Sequence, residues 1–224
     1  KVTFHRDRLI AGEDFSGLVN GRYLFGTPMI KAEGNCVWTI QSTYYQPPGW
    51  DRYIFGTYES HIRKTIFNKD FNLDSDGNYK YEQDDFSFDS KNSVLLSVHG
   101  EVKDKDNNRI SGRKSMVVHR GRYYIGLKTG SYFFKQNKPG KIFLTTVDPR
   151  GQVFEDTELE MKITREEWKS FQKKDASGAL RWEWKKMSED ILAEEVELPN
   201  GTFEKEYTFK KTGYYIITLT GKDK

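Results

Sequence analysis

The stretch Asn35-Cys36-Val37-Trp38-Thr39-Ile40 decides the fold class, because its alternation places Cys36 on one face of a strand and the next residue on the other. The same period of two recurs in Phe15-Gly17-Val19, Val37-Thr39-Gln41, Leu95-Ser97-His99, Ile142-Leu144-Thr146, Leu159-Met161-Ile163, Leu180-Trp182-Trp184 and Ile217-Leu219. Turn signals separate these runs: Asp76-Gly77, Asp106-Asn107-Asn108, Asp148-Pro149-Arg150-Gly151 and Asn200-Gly201. Asn200-Gly201 is read as a tight-hairpin pair, since both residues tolerate positive φ. Thr164 to Lys174 and Lys185 to Glu195 are the two stretches that could be helical. Neither keeps an apolar stripe at helical spacing beyond two turns, so both are read as ends of long strands joined by a polar loop. The expectation is an all-β protein of antiparallel sheets.

Composition agrees and excludes several classes. Aromatic residues make up 15% of the 224 residues, and such side chains suit pleated, half-buried surfaces. With 36 Lys plus Arg against 33 Asp plus Glu, charge is near balance, so no basic stripe for nucleic acid is expected. The longest apolar runs, such as Tyr214-Tyr215-Ile216-Ile217, are far shorter than a membrane span, and direct membrane insertion by this segment is not expected. Lys1 begins in mid-pattern, as in a piece cut from a longer chain. The single cysteine excludes an intrachain disulfide, and without a neighbouring His or Lys it is read as packing.

The chain contains two copies of one unit. Ala11-Gly12-Glu13-Asp14-Phe15, a turn at Phe25 to Pro28 and a strand at Cys36 to Gln41 correspond to Lys138-Pro139-Gly140-Lys141-Ile142, the turn at Asp148 to Gly151 and a strand at Leu159 to Ile163. Further on, Asp76 to Tyr81 corresponds to Asn200 to Lys205, and Val94 to Gly100 to Tyr215 to Gly221. Two sandwich domains are expected, 1–120 and 121–224, with the joint near His119 to Arg122. The first copy continues into a further strand, Arg109 to Val118, for which the second has no counterpart. The second domain is therefore expected to lack its last strand, leaving an unpaired edge beside Tyr214 to Thr220.

No catalytic, cofactor-binding or metal-binding residue is assigned. His5, His61, His99 and His119 are far apart, and no metal spacing, nucleophile elbow or phosphate-binding loop is present. Asn72 to Gly77 resembles the opening of a calcium loop, but Gln83 stands where the bidentate Glu should fall; turn chemistry is the preferred reading. Asn200-Gly201-Thr202 fits a glycosylation triplet, which turn chemistry alone also produces. The loop from Tyr44 to Gly56 presents Trp50, Tyr45 and Tyr53, which could stack on a sugar or partner surface or pack within the molecule. Trp168, Trp182 and Trp184 are assigned to a core or a domain interface.

Taken in order, Leu9 to Gly17 followed by Arg22-Tyr23-Leu24-Phe25-Gly26-Thr27-Pro28 resembles the start of a macroglobulin domain of bacterial α2-macroglobulins. Gln46-Pro47-Pro48-Gly49-Trp50, Tyr53-Ile54-Phe55-Gly56, Tyr123 to Leu127, Val147 to Val153, Arg165 to Ser170 and Gly213 to Ile216 extend the likeness over essentially the whole chain. The resemblance implies two tandem seven-stranded, macroglobulin or fibronectin-like β-sandwiches from the N-terminal half of a broad-range endopeptidase inhibitor. Such inhibitors trap a protease after it cuts a bait segment. It also implies neighbouring macroglobulin domains and, through the full-length protein, target proteases as partners, and a periplasmic lipoprotein as the setting. The family's thioester needs Cys-Gly-Glu-Gln, whereas Cys36 is followed by Val37-Trp38-Thr39, so the segment is expected to be scaffold rather than enzyme. A surface adhesin or carbohydrate-binding tandem using the Trp50 loop is the alternative.

Overall fold

The structure is a computed structural model describing residues 1–58, 61–174 and 180–222. Its strands in chain order are β1 (Val2–Phe4), β2 (Leu9–Ile10), β3 (Phe15–Asn20), β4 (Glu33–Ser42), β5 (Ile54–Phe55), β6 (Arg63–Asn72), β7 (Asn78–Gln83), β8 (Val94–Lys103), β9 (Arg109–His119), β10 (Tyr124–Thr129), β11 (Pro139–Val147), β12 (Thr157–Lys174), β13 (Leu180–Leu198), β14 (Thr202–Thr208) and β15 (Tyr214–Gly221). The all-β reading stands. The chain divides into two compact units, residues 1–46 with 56–122 and residues 47–55 with 123–224. Residues 47–55, placed by sequence in the first domain, belong to the second unit, where β5 pairs with β10.

The first unit has one sheet of order β1-β3-β7 and another of order β2-β9-β8-β4-β6. Alternation along β4 turns Cys36, Trp38 and Ile40 inward, where they meet Phe15 and Val19 of β3 and Leu96 and Val98 of β8. Aromatic rings fill the middle: Trp38 stacks on Phe67 at 4.4 Å and meets Phe15 edge-on at 5.2 Å. Gly17 is required where the Tyr81 ring crosses β3, because the Tyr81 hydroxyl donates to the Thr3 carbonyl at 2.8 Å over that spot. Any Cβ there would collide with both oxygens.

The second unit has sheets of order β14-β11-β10-β5 and β13-β12-β15. Ile142 and Leu144 of β11 pack against Leu159, Met161 and Ile163 of β12 and Val196 and Leu198 of β13. The repeat read from sequence is reproduced strand for strand: β11 and β14 occupy the places of β3 and β7, and β12, β13 and β15 those of β4, β6 and β8. β12 and β13 are single strands of 18 and 19 residues, so both stretches considered for helix are strand. The polar loop expected between them falls on 175–179, outside the described residues.

Three turns share one design. Asp74, Asp104 and Asp148 each accept on Oδ1 from the backbone N–H two and four residues later, at 2.8 to 2.9 Å. The residue three positions on, Gly77, Asn107 or Gly151, takes positive φ. The calcium-like opening at Asn72 to Gly77 is such a turn, with Oδ1 of its Asp74 given to the backbone. Asn200-Gly201 is corrected. Only Gly201 has positive φ, its N–H donates to Leu198 O at 3.0 Å, and the turn carries the chain from β13 in one sheet to β14 in the other. Pro199 at the first central position suits a type I turn, and local turn chemistry does not decide which sheet receives the next strand.

Candidate functional site

The three residues of the aromatic loop divide between the two units. Tyr45 belongs to the first unit and meets the His119 ring edge-on at 4.8 Å. Trp50 and Tyr53 belong to the second, with their rings 5.1 Å apart. The half-buried Trp50 indole donates from Nε1 to Gly151 O at 2.9 Å, and Gly151 is held at φ 81° with no room for a Cβ against the Pro48 carbonyl. Trp50 thus anchors its own loop to the second unit.

The groups with chemical potential are occupied structurally. Cys36 is buried, accepts from Trp38 Nε1 at 3.3 Å, and burial pushes its thiol pKa up, away from the nucleophilic thiolate. His119 is buried where β9 runs parallel to β2, and loss of hydration, helped by the Arg8 charge, pushes its pKa down to about 4. A groove of about 600 Å³ in the first unit is lined by Glu33, Asn35, Asp70, His99, Glu101 and Arg109. Its polar groups already answer one another: Asn35 donates to Asp70 at 2.8 Å, and Arg109 pairs with Glu101. Among the described residues no three His, Cys, Asp or Glu side chains gather as metal ligands.

Two features of the second unit are left open to further contact. The first is β15. Its counterpart β8 lies between β9 and β4, whereas β15 has β12 on one side and, among the described residues, nothing on the other. Every other strand at a sheet edge is two or three residues long (β1, β2, β5) or carries charge (β6, β7, β13, β14). β15 is eight residues, Tyr-Tyr-Ile-Ile-Thr-Leu-Thr-Gly, with no charge at all. Exposed edges are normally blunted against strand pairing, and this one is not.

The second is the arm formed by the distal halves of β12 and β13. The last rung shared with β15 is Glu166 with Tyr214, beyond which, among the described residues, two strands continue, from Glu167 with Met187 to Lys174 with Leu180. At about 3.4 Å per residue the described arm is roughly 24 Å long. Ion pairs brace its base: Arg165 with Glu167 at 2.8 Å, Lys186 with Glu166 at 2.6 Å, and Lys211 with Glu189 at 2.8 Å. Trp168, Trp182 and Trp184, expected in a core or interface, are 63%, 63% and 67% exposed here, so the core assignment is corrected. Alternating aromatics identify a strand face without saying whether anything covers it.

No family model matches the chain. It is 22% identical to an alpha-2-macroglobulin of Pasteurella multocida (strain Pm70), over 99% of its own length and 12% of the relative's. The fold is similar to the native conformation of E. coli alpha-2-macroglobulin, with a TM-score of 0.65, 11% identity, and 99% of this chain but 15% of that one covered. Salmonella alpha-2-macroglobulin reacted with methylamine gives a TM-score of 0.64 at 11% identity, covering 99% and 16%. The chain thus spans about an eighth of the length of the curated relative. Sequence and fold point to the same proteins, and over nearly its whole length the chain is similar to a segment of bacterial alpha-2-macroglobulins, the family its motifs resemble.

Proposed function

We propose that this chain is a non-catalytic scaffold of a bacterial alpha-2-macroglobulin-like inhibitor of endopeptidases, built as two tandem macroglobulin-type sandwiches. The full protein would trap proteases after bait cleavage, as the family resemblance implies, and would work outside the cytoplasm as a periplasmic lipoprotein. The observation carrying this reading is the match to such proteins along 99% of the chain in both sequence and fold. The uncharged β15 edge supports it, since a strand supplied by the same large protein would cover that edge. Buried Cys36 and His119, and the internally paired groove, fit a structural role. An adhesin using the Trp50 loop would need its rings turned to a ligand; the Trp50 indole is instead bonded to Gly151, and Tyr45 packs on His119.

The test is an inhibition assay with trypsin, elastase and subtilisin on a protein substrate. The 224-residue chain is expected to leave all three active and to cleave nothing itself, while the full-length protein suppresses all three. Inhibition of several unrelated proteases by the chain alone at low stoichiometry would sink the scaffold reading.

A further inference from the structure

The arm inverts the polarity of the sheet from which it grows. Up to the β-bulge at Ile163/Thr164, odd-numbered residues of β12 face the core, with Thr157, Leu159, Met161 and Ile163 buried and Glu158 and Glu160 in solvent. Beyond it the β12 parity continues but the chemistry changes sides. The register sets Trp168 opposite Lys186, Ser170 opposite Trp184, Gln172 opposite Trp182 and Lys174 opposite Leu180, so three tryptophans and a leucine continue the solvent face. The face in line with the core takes Lys169, Phe171, Lys173, Arg181, Glu183 and Lys185, four cations against one carboxylate, with Lys173 paired to Glu183 at 3.1 Å. Between Trp168 and Met187 six cations stand against two carboxylates, a larger net positive charge than the +3 of the whole chain, so the remainder is net acidic.

We propose that this arm is a docking ribbon for an anionic lipid surface, with its tryptophan face at the boundary between headgroups and acyl chains and its Lys and Arg side chains among the phosphates. The choice of occupant follows from charge complementarity and from the two faces taken together. A folded acidic protein covers one face of a thin ribbon. A bilayer interface answers both, because indole rings favour that boundary and long basic side chains reach back to the headgroups while their stems stay apolar. Two strands alone are marginally stable in water, so a seat that buries one face also supports the ribbon. The contact is interfacial, and no strand of the arm crosses the bilayer.

The experiment mixes the 224-residue chain with phosphatidylcholine vesicles, with or without about 30% phosphatidylglycerol. Binding is read by co-sedimentation and by quenching of tryptophan with brominated lipid. The expected result is binding to the anionic vesicles that weakens with salt. It should fall about tenfold or more in W168S/W182S/W184S, and comparably in K169Q/K173Q/R181Q/K185Q. A far-UV spectrum and thermal melt matching the parent's show that the second unit of each variant remains folded. The proposal is overturned if the chain ignores anionic vesicles, or if folded variants bind as the parent does. It is equally overturned if soluble polyglutamate is bound with the same tryptophan dependence, which would assign the arm to an acidic protein.

Discussion

Acidification from pH 7.5 to 4 should loosen the first unit through one residue, His119. In the folded protein its pKa is pushed down to about 4 by burial and by the Arg8 charge, against an ordinary value of 6.5. The unfolded chain therefore takes up a proton between pH 6.5 and 4 that the folded chain refuses, so stability is fully present above pH 6.5 and falls as pH drops through this window. The linkage amounts to about 2 kcal/mol at pH 5 and about 3 kcal/mol at pH 4. Cys36 supplies a unit-specific probe, because it is the only cysteine and is fully buried in the first unit's core. Urea titrations at several pH values, each read by a pulse of dithiodipyridine, a thiol reagent active in acid, give the stability of that unit alone. His119→Gln should be less stable than the parent at pH 7.5, since the imidazole packs on Tyr45. Its curve should then converge on the parent's as the pH falls. Parallel curves between pH 6.5 and 4.5 would refute the reasoning, because the linkage would then arise from carboxylates common to both proteins.

Gly17→Ala drives a methyl group into the Tyr81 hydroxyl and the Thr3 carbonyl, and should cost roughly 2 kcal/mol in the same urea assay. Tyr81→Phe, which only removes the 2.8 Å bond to Thr3 O, should cost about 1 kcal/mol. Asp148→Ala releases two backbone N–H groups at a turn of the second unit, so far-UV thermal melting should show a loss of about 1 kcal/mol while Cys36 protection stays unchanged. Thr218→Glu places a charge on the bare β15 edge, opposite Lys162, and should reduce concentration-dependent association, measured by light scattering, without lowering the melting temperature.

What the sequence disclosed, and what it hid, follows from the range of each interaction. Alternation is enforced by one face being buried, so the strands around Trp38, Leu96 and Met161 can be read directly, and the correspondence of the two copies survives because each strand keeps its place in its sheet. Destination is a different matter. Gly77 and Gly201 announce a left-handed turn, but nothing local says that β6 and β13 hand the chain to the opposite sheet rather than back along themselves. Ile54-Phe55 is too short a run to declare that it pairs with Gly126 and Leu127 of the second unit. Trp182 and Trp184 alternate as core residues do, and only their exposure, with no third strand beyond Glu166 among the described residues, shows them to be uncovered.

The two unblunted features of the second unit make different demands on whatever covers them. β15 offers a line of backbone donors and acceptors with uncharged side chains on either side, which a strand of almost any sequence satisfies; its specificity must come from proximity, as within one polypeptide. The arm differs: its two strands pair with each other and keep an open backbone edge on either side, but what sets it apart is the side chains on its two faces. A surface that matches Trp168, Trp182 and Trp184 need not be ordered in sequence or shape, provided that it is apolar a few ångströms below a negative layer. Strand completion and surface docking therefore act through separate chemistry on one unit. Thr218→Glu should leave vesicle binding intact, and W168S/W182S/W184S should leave association through β15 intact. Loss of both properties in either variant would show that edge and arm form a single surface.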